Sequence, residues 1–372
     1  MRTVGVEEEM LLVDVHTGRP RAVSGQMLLH APRRRPESAG VGVHGALAAE
    51  MQQQQVETRT APAADMAGLR AEVRRWRSEA VSAARGTGSS VAALATSPLP
   101  VRPVLTRAPR YDWLGDRYQL TAREHLTCGC HVHVSVESDE EGVGVLDRIR
   151  VWLPSLLALS ANSPFWNGQD SGYASYRSQA FARWPSWGPA DRYGSAEAYH
   201  RLVRRMALSS VILDPGMIYF DARLSQHYPT VEIRAADVCF TVEEAIVVAA
   251  LCRGLVETAA LEWAAGMPEP DVPTQMLRFA TWQAGREGLE GNLIDWRTEL
   301  PRPCWSVLEA LVDHVGPALQ AAGDLEVVRE GLARVRAEGN GAIRQRAVMA
   351  HTGQLVDVVA ASVRETSSPG AG

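Results

Sequence analysis

Three consecutive glutamates, Glu7-Glu8-Glu9, lie inside the strand-like stretch 3–14, and they restrict the fold more than any other feature. Side chains alternate across a strand, so Glu7 and Glu9 share one face while Glu8 faces the other way with Val6 and Met10. Two carboxylates side by side on a sheet repel unless the face is solvated or a cation lies between them. A solvated edge strand would meet the first condition. The other strand-like segments favour the second. In Val231-Glu232-Ile233-Arg234 the same alternation puts Glu232 and Arg234 together, and Asp221 and Arg223 repeat the pattern nearby. His131, His133 and Ser135 share a face in 127–136, and Glu57 sits in strand context after Gln55. One face of this sheet is therefore apolar and ready to be covered by helices. The opposite face carries acids, histidines and arginines, which is too much buried charge unless the groups pair or hold metal.

The rest of the chain indicates the scaffold. Segments 3–14, 50–60, 91–95, 127–136, 218–224 and 230–235 read as strands, the last two as a hairpin around His227-Tyr228-Pro229. Residues 64–85 place Met66, Leu69, Val73, Trp76 and Val81 at helical spacing, with Gly86 as the stop. Residues 143–160 read as a further helix. Pro, Gly and Arg content makes 20–45 irregular, and 165–189 reads as a long functional loop. From 242 onward the pattern is helical: 242–265, 274–286, 304–321, 325–338 and 342–364. Strands first and helices last predict an α+β fold: a curved, largely antiparallel sheet with helices on its convex face and a helical C-terminal half. Residues 1–366 are expected to form a single catalytic domain, with 367–372 as a disordered tail.

Bulk properties exclude several classes. A net charge of −5 with no basic cluster beyond Arg33-Arg34-Arg35 gives nucleic acid nothing to bind. The N-terminus is too acidic for a signal peptide, and the apolar run 245–256 is interrupted by Arg253 and too short to span a bilayer. Five scattered cysteines fit reduced thiols, so a cytoplasmic protein without membrane anchor is expected. Cys128-Gly129-Cys130-His131-Val132-His133 invites a zinc reading, but alternation puts the cysteines and the histidines on opposite faces, which argues against one site.

Carboxylates prefer hard cations, Mg²⁺ or Mn²⁺, and neighbouring arginines suit phosphate oxygens. Together they fit nucleotide phosphate chemistry, although no GxxxxGK[ST] loop is present. Trp166, Tyr173, Tyr176, Trp184 and Trp187 read first as packing over the open side of the sheet, with adenine stacking as a secondary role for one of them.

These pieces resemble the glutamate–cysteine ligase type 2 family of carboxylate–amine ligases. The matching motifs are Gly5-Val6-Glu7-Glu8-Glu9, Gln55-Val56-Glu57, Gly129-Cys130-His131-Val132-His133-Val134 and Ser163-Pro164-Phe165-Trp166. Tyr176-Arg177, Phe181-Ala182-Arg183-Trp184-Pro185, 228–237 and Gly288-Leu289-Glu290-Gly291 follow in the family's order. The resemblance implies the catalytic fold of glutamine synthetase and guanidino kinases, and ATP with Mg²⁺ (or Mn²⁺) as cofactors. It implies phosphorylation of a γ-carboxylate, with glutamate as acid, and attack by cysteine or another amine on the acyl phosphate. Glu7, Glu9, Glu57, His131 and Glu232 would be metal ligands, with His133 and Arg234 at the nucleotide. Arg234, Arg223, Arg177 and Arg183 would neutralise the transferred phosphoryl or grip substrate carboxylates. Glu50 matches an acidic position of the family, yet its odd separation from Glu57 needs either a bulge or a place outside the strand. The partners implied are small-molecule substrates, with a homo-oligomer compatible. A metal-dependent hydrolase or phosphotransferase using the same acids and His131 is the alternative on residue chemistry.

Overall fold

The computed structural model describes residues 1–31 and 46–368. The Arg33–Arg35 triplet, the rest of the expected irregular loop to Gly45, and residues 369–372 of the expected tail lie outside the described residues. The strands are β1 (Val4–Asp14), β2 (Ala46–Ala49), β3 (Gln55–Arg59), β4 (Ser89–Ala92), β5 (Gly129–Ser135), β6 (Phe165–Trp166), β7 (Gln169–Asp170), β8 (Ala222–Leu224), β9 (Thr230–Asp237), β10 (Asn292–Asp295) and β11 (Leu300–Pro303). The helices are α1 (Ser24–Leu29), α2 (Met66–Arg85), α3 (Pro109–Tyr118), α4 (Leu120–Glu124), α5 (Asp139–Ile149), α6 (Leu153–Ser160), α7 (Tyr176–Phe181) and α8 (Ala196–Leu208). They continue with α9 (Val242–Ala264), α10 (Thr274–Glu287), α11 (Cys304–Ala322), α12 (Leu325–Glu338), α13 (Gly341–Thr352) and α14 (Leu355–Ser367).

The main sheet is antiparallel throughout, in the order β2-β3-β1-β5-β9-β8, with β4 pairing to the end of β1. Its apolar face carries Val4, Val6, Cys130, Val132, Val134, Val231 and Ile233. These pack into one core with Leu69 and Val73 of α2 and with the apolar residues of α9. α9 is apolar around most of its circumference, from Ala245 to Val256, because sheet and helices enclose it. A capping box starts it: Thr241 accepts from the Glu244 amide, and Glu244 reaches back to the Thr241 amide.

The middle glutamate of the triplet faces this core. Glu8 is buried and accepts two hydrogen bonds from Arg77 of α2, at 2.9 and 2.6 Å. The same guanidinium donates to the Cys239 and Phe240 carbonyls at 2.8 and 3.3 Å. Glu8 is thus a structural anchor, while Glu7 and Glu9 face the other way.

Several expected elements differ. The strand expected over 50–60 is only β3, because 51–54 turn between β2 and β3; Glu50 therefore lies outside the strand. The helix expected over 143–160 breaks into α5 and α6 at Pro154, whose ring and missing N–H restrict it to the first turn of α6. The helix expected over 342–364 breaks at Gly353, which takes the left-handed conformation (φ 68°). α1 lies in the stretch expected to be irregular. The 165–189 loop contains the small β6–β7 hairpin and α7, and the β10–β11 hairpin interrupts the helical half. α14 continues through Ser367, into the expected tail. All five cysteines are buried and free, with Cys128 and Cys130 on the side away from the histidines' cavity. No helix among the described residues is long and apolar enough to cross a membrane.

Candidate active site

The polar sheet face lines a cavity of about 340 Å³. Antiparallel register explains how residues distant in sequence meet there. Glu7 on β1 pairs with His131 on β5 and with Arg59 on β3; Glu9 pairs with Glu57; His133 pairs with Glu232 on β9; Glu232 pairs with Arg223 on β8. Each of these residues lines the cavity, as does Arg234.

The Glu7 carboxylate lies 3.6 Å from His131 Nδ1 and 3.7 Å from His133 Nε2. Burial pushes its pKa up, but the two imidazoles outweigh this and hold it well below the usual carboxylate range. Glu232 is likewise buried, and the charges of Arg234 and Arg223 hold it far below its ordinary value. Arg223 grips it with two bonds of 2.7 and 3.2 Å and donates from Nη1 to the Gly216 and Ile218 carbonyls. Arg234 donates to Glu232 from the other side and stands 3.3 Å from His131 Nδ1. Burial and the Arg234 charge lower His131, whereas Glu7 and Glu232 overcome the burial of His133 and raise it.

Ligand atoms of Glu7, His133 and Glu232 lie within 4.8 Å of one another. His133 Nδ1 is fixed by Thr230 Oγ1 at 3.0 Å, which leaves its Nε2 buried without a hydrogen-bond partner. An imidazole oriented by the Thr230 hydroxyl, two low-pKa carboxylates and a raised histidine pKa all mark a position that stabilises positive charge. That donor set fits a divalent cation. His131, Glu9 and Glu57 stand around this triad rather than in it. Glu9 accepts from the Gly129 amide at 2.7 Å.

Glu57 is held by Arg59 through two bonds of 3.1 and 2.8 Å. Even so, burial and the charges of Glu7 and Glu50 raise it well above the usual range. Glu50 also lines the cavity, from the β2–β3 turn, and burial with the charge of Glu9 lifts it to about 7. Arg59 did not emerge from the sequence reading, although its two-residue spacing from Glu57 was a usable signal. Arg110, paired with Asp214, and Tyr111, Tyr219 and His125 also line the cavity; no local pattern marks them.

Two of the expected arginines lie elsewhere. Arg183 pairs with Glu124 at 2.8 Å near the surface. Arg177 is buried and does not line the cavity; its guanidinium lies 3.6 Å from Asp237. Among the aromatics expected over the open side, Trp184 reaches the cavity wall, where its indole N–H donates to His125 Nδ1 at 3.1 Å.

A family model described as glutamate–cysteine ligase family 2 matches residues 3–361. The chain belongs to that family. Family members similar to it include a "Putative glutamate–cysteine ligase 2" of Streptomyces coelicolor. That relative is 52% identical over 368 residues, covering 99% of this chain and 100% of the relative. A "Putative glutamate–cysteine ligase 2-2" of Frankia alni is 46% identical over 377 residues, covering 99% of this chain and 98% of the relative. Among solved structures, the glutamate–cysteine ligase of Francisella tularensis in complex with AMP aligns with a TM-score of 0.65 at 13% identity, covering 99% of this chain and 89% of that one. The bifunctional glutathione synthetase of Pasteurella multocida aligns at 0.66 and 14% identity, over 99% of this chain and 52% of that one. At such identities the likeness shows a shared fold, the α+β architecture expected from the strand and helix order.

Proposed function

We propose that this family member is an ATP- and Mg²⁺-dependent (or Mn²⁺-dependent) ligase that joins the γ-carboxylate of glutamate to a primary amine through an acyl phosphate. The observation that carries the reading is the Glu7, His133 and Glu232 triad set among Arg59, Arg223 and Arg234 on one sheet face. The relatives' names supply glutamate and cysteine as the expected acid and amine, and the AMP complex of a similar fold supports an adenine nucleotide.

Glu7, His133 and Glu232 would hold the cation, with Glu9, Glu57 and His131 positioned around it. When bound, the cation supplies charge neutralisation for phosphate oxygens. Arg234, on the cavity wall beside Glu232, is placed to bind the transferring phosphoryl group as its charge develops. Arg223 orients Glu232, with most of its donors already held by Glu232 and the Gly216 and Ile218 carbonyls. Glu50, whose carboxyl exchanges a proton near pH 7, is suited to receive the proton that the attacking ammonium must lose. The aromatic end of the cavity, with Tyr111, Trp184 and Tyr219, shields the acyl phosphate from water.

The test is ADP release with glutamate fixed and the amine varied across cysteine, other amino acids and small amines. ADP must form only when acid and amine are both present. Phosphate release with neither co-substrate would refute the ligase reading in favour of a metal-dependent hydrolase.

A further inference from the structure

β9 contains a bulge. Cys130 pairs with Ala236 and Val132 with Ile233, so Arg234 and Ala235 together oppose His131 alone. The extra residue shifts the phase of the strand: Glu232 and Arg234 face the cavity, Ala236 faces the core, and Asp237 returns to the cavity side. A bulge leaves backbone groups out of the ladder, and buried carbonyls need donors from elsewhere. Arg177 of α7 supplies them, with Nη2 donating to the Arg234 carbonyl at 3.3 Å and Nη1 to the Ala235 carbonyl at 3.5 Å.

The same guanidinium is held from two further sides. Asp237 lies 3.6 Å from Nη1. Its carboxylate is fully buried and accepts from the Ser163 and Ser175 hydroxyls at 2.7 and 2.9 Å and from the Asn162 amide at 2.9 Å. Gly129 packs so closely that a Cβ there would stand 2.4 Å from Nη2, and the Gly129 amide is the one that holds Glu9. Arg177 thus links the bulge that aims Arg234 to the backbone that orients Glu9, while standing outside the cavity itself. Stability alone does not account for it, because a buried ion pair is commonly replaceable by apolar groups at no loss, and here the Nε remains unpartnered.

We infer that Arg177 is a positioning residue for the ligase reaction: it fixes the β9 bulge and thereby the aim of Arg234, and contacts neither phosphate nor substrate. The activity consequence rests on the ligase reading; the backbone consequence does not.

Two variants test this. Arg177→Met with Asp237→Asn removes both buried charges together, and Gly129→Ala displaces the guanidinium while keeping every charge, its Cβ also standing 3.1 Å from His131 Nε2. Thermal melting first establishes that each is folded. In both, kcat for ADP release should fall about 100-fold, the loss expected when a donor aimed at developing charge is misplaced. Binding of ATP with Mg²⁺, read by calorimetry, should stay within about threefold, a range below 1 kcal/mol. Amide hydrogen exchange in residues 230–237 should quicken. A kcat within twofold of wild type in both variants overturns the inference, as does a parallel loss of ATP affinity, which would mark a purely structural role. If the wild type shows no co-substrate-dependent ADP release, the ligase reading falls by itself; unchanged exchange over 230–237 then overturns the clamp as well.

Discussion

Replacing Arg77 by methionine tests the two-faced reading of Glu7-Glu8-Glu9 without relying on any activity. Arg77 and Glu8 are each 2% exposed at the side chain, and they meet through two short hydrogen bonds of 2.9 and 2.6 Å. Methionine fills much of the same volume but leaves Glu8 as an uncompensated buried charge, at a cost of about 3–5 kcal/mol. The Cys239 and Phe240 carbonyls also lose their donor, adding roughly 1–3 kcal/mol for groups left unsatisfied. The single variant should therefore lose about 4–8 kcal/mol of unfolding free energy, much of what a native protein possesses. Glu8→Met combined with Arg77→Met removes the stranded charge and should retain a loss of only about 1–3 kcal/mol, from the carbonyls. Urea unfolding followed by tryptophan fluorescence gives both values, and their difference is the cost of stranding the Glu8 charge. A single variant within 1 kcal/mol of wild type, or a double variant as unstable as the single, would refute the assignment of Glu8 to the core face.

Other predictions follow from particular contacts. Glu232→Gln keeps the shape but removes the charge that Arg223 and Arg234 share and one member of the triad; turnover should fall at least about 100-fold and Mn²⁺ affinity at least about tenfold. Full activity in that variant would remove Glu232 from the site. Burial, with Arg183 and Arg177 nearby, lowers the His125 pKa to about 3, below its unfolded value, so its contribution is complete above about pH 6.5 and is lost as pH falls toward 3. Between pH 7 and pH 5 the wild type should lose about 2 kcal/mol more than His125→Asn in urea unfolding; equal losses would show that His125 is not held neutral. In α12, a Cβ at Gly331 would meet Val247 Cγ2 of α9 at 2.0 Å, so Gly331→Ala should cost about 1–3 kcal/mol by overpacking. An unchanged melting temperature would contradict the close α9–α12 approach.

The face assignments were legible because strand alternation is a local rule. Glu7 and Glu9 against Glu8, Glu232 with Arg234, and His131 with His133 all follow from a period of two, and the sheet obeys it wherever pairing is regular. The helix α2 was legible for the same kind of reason, from apolar spacing and a terminal glycine. Failures cluster where one residue breaks the local rule: Pro154 splitting α5 from α6, Gly353 splitting α13 from α14, and the turn that leaves Glu50 outside β3. The first two breakers stood in the sequence and outweighed the helical periodicity around them.

By itself, then, the sequence determined which side chains share a strand face, and so that one face of an antiparallel sheet would carry acids, histidines and arginines. Strand order and register decided the rest, because they depend on how whole faces pack against α2, α6 and α9. Tertiary structure set His133 rather than His131 within the triad of Glu7 and Glu232, and brought Glu50 from a turn to the cavity wall. It also set the Arg177 guanidinium on the carbonyls of a bulge rather than in the cavity lining. A single inserted residue on β9 reversed the phase of everything after it, and alternation cannot foresee where a ladder slips.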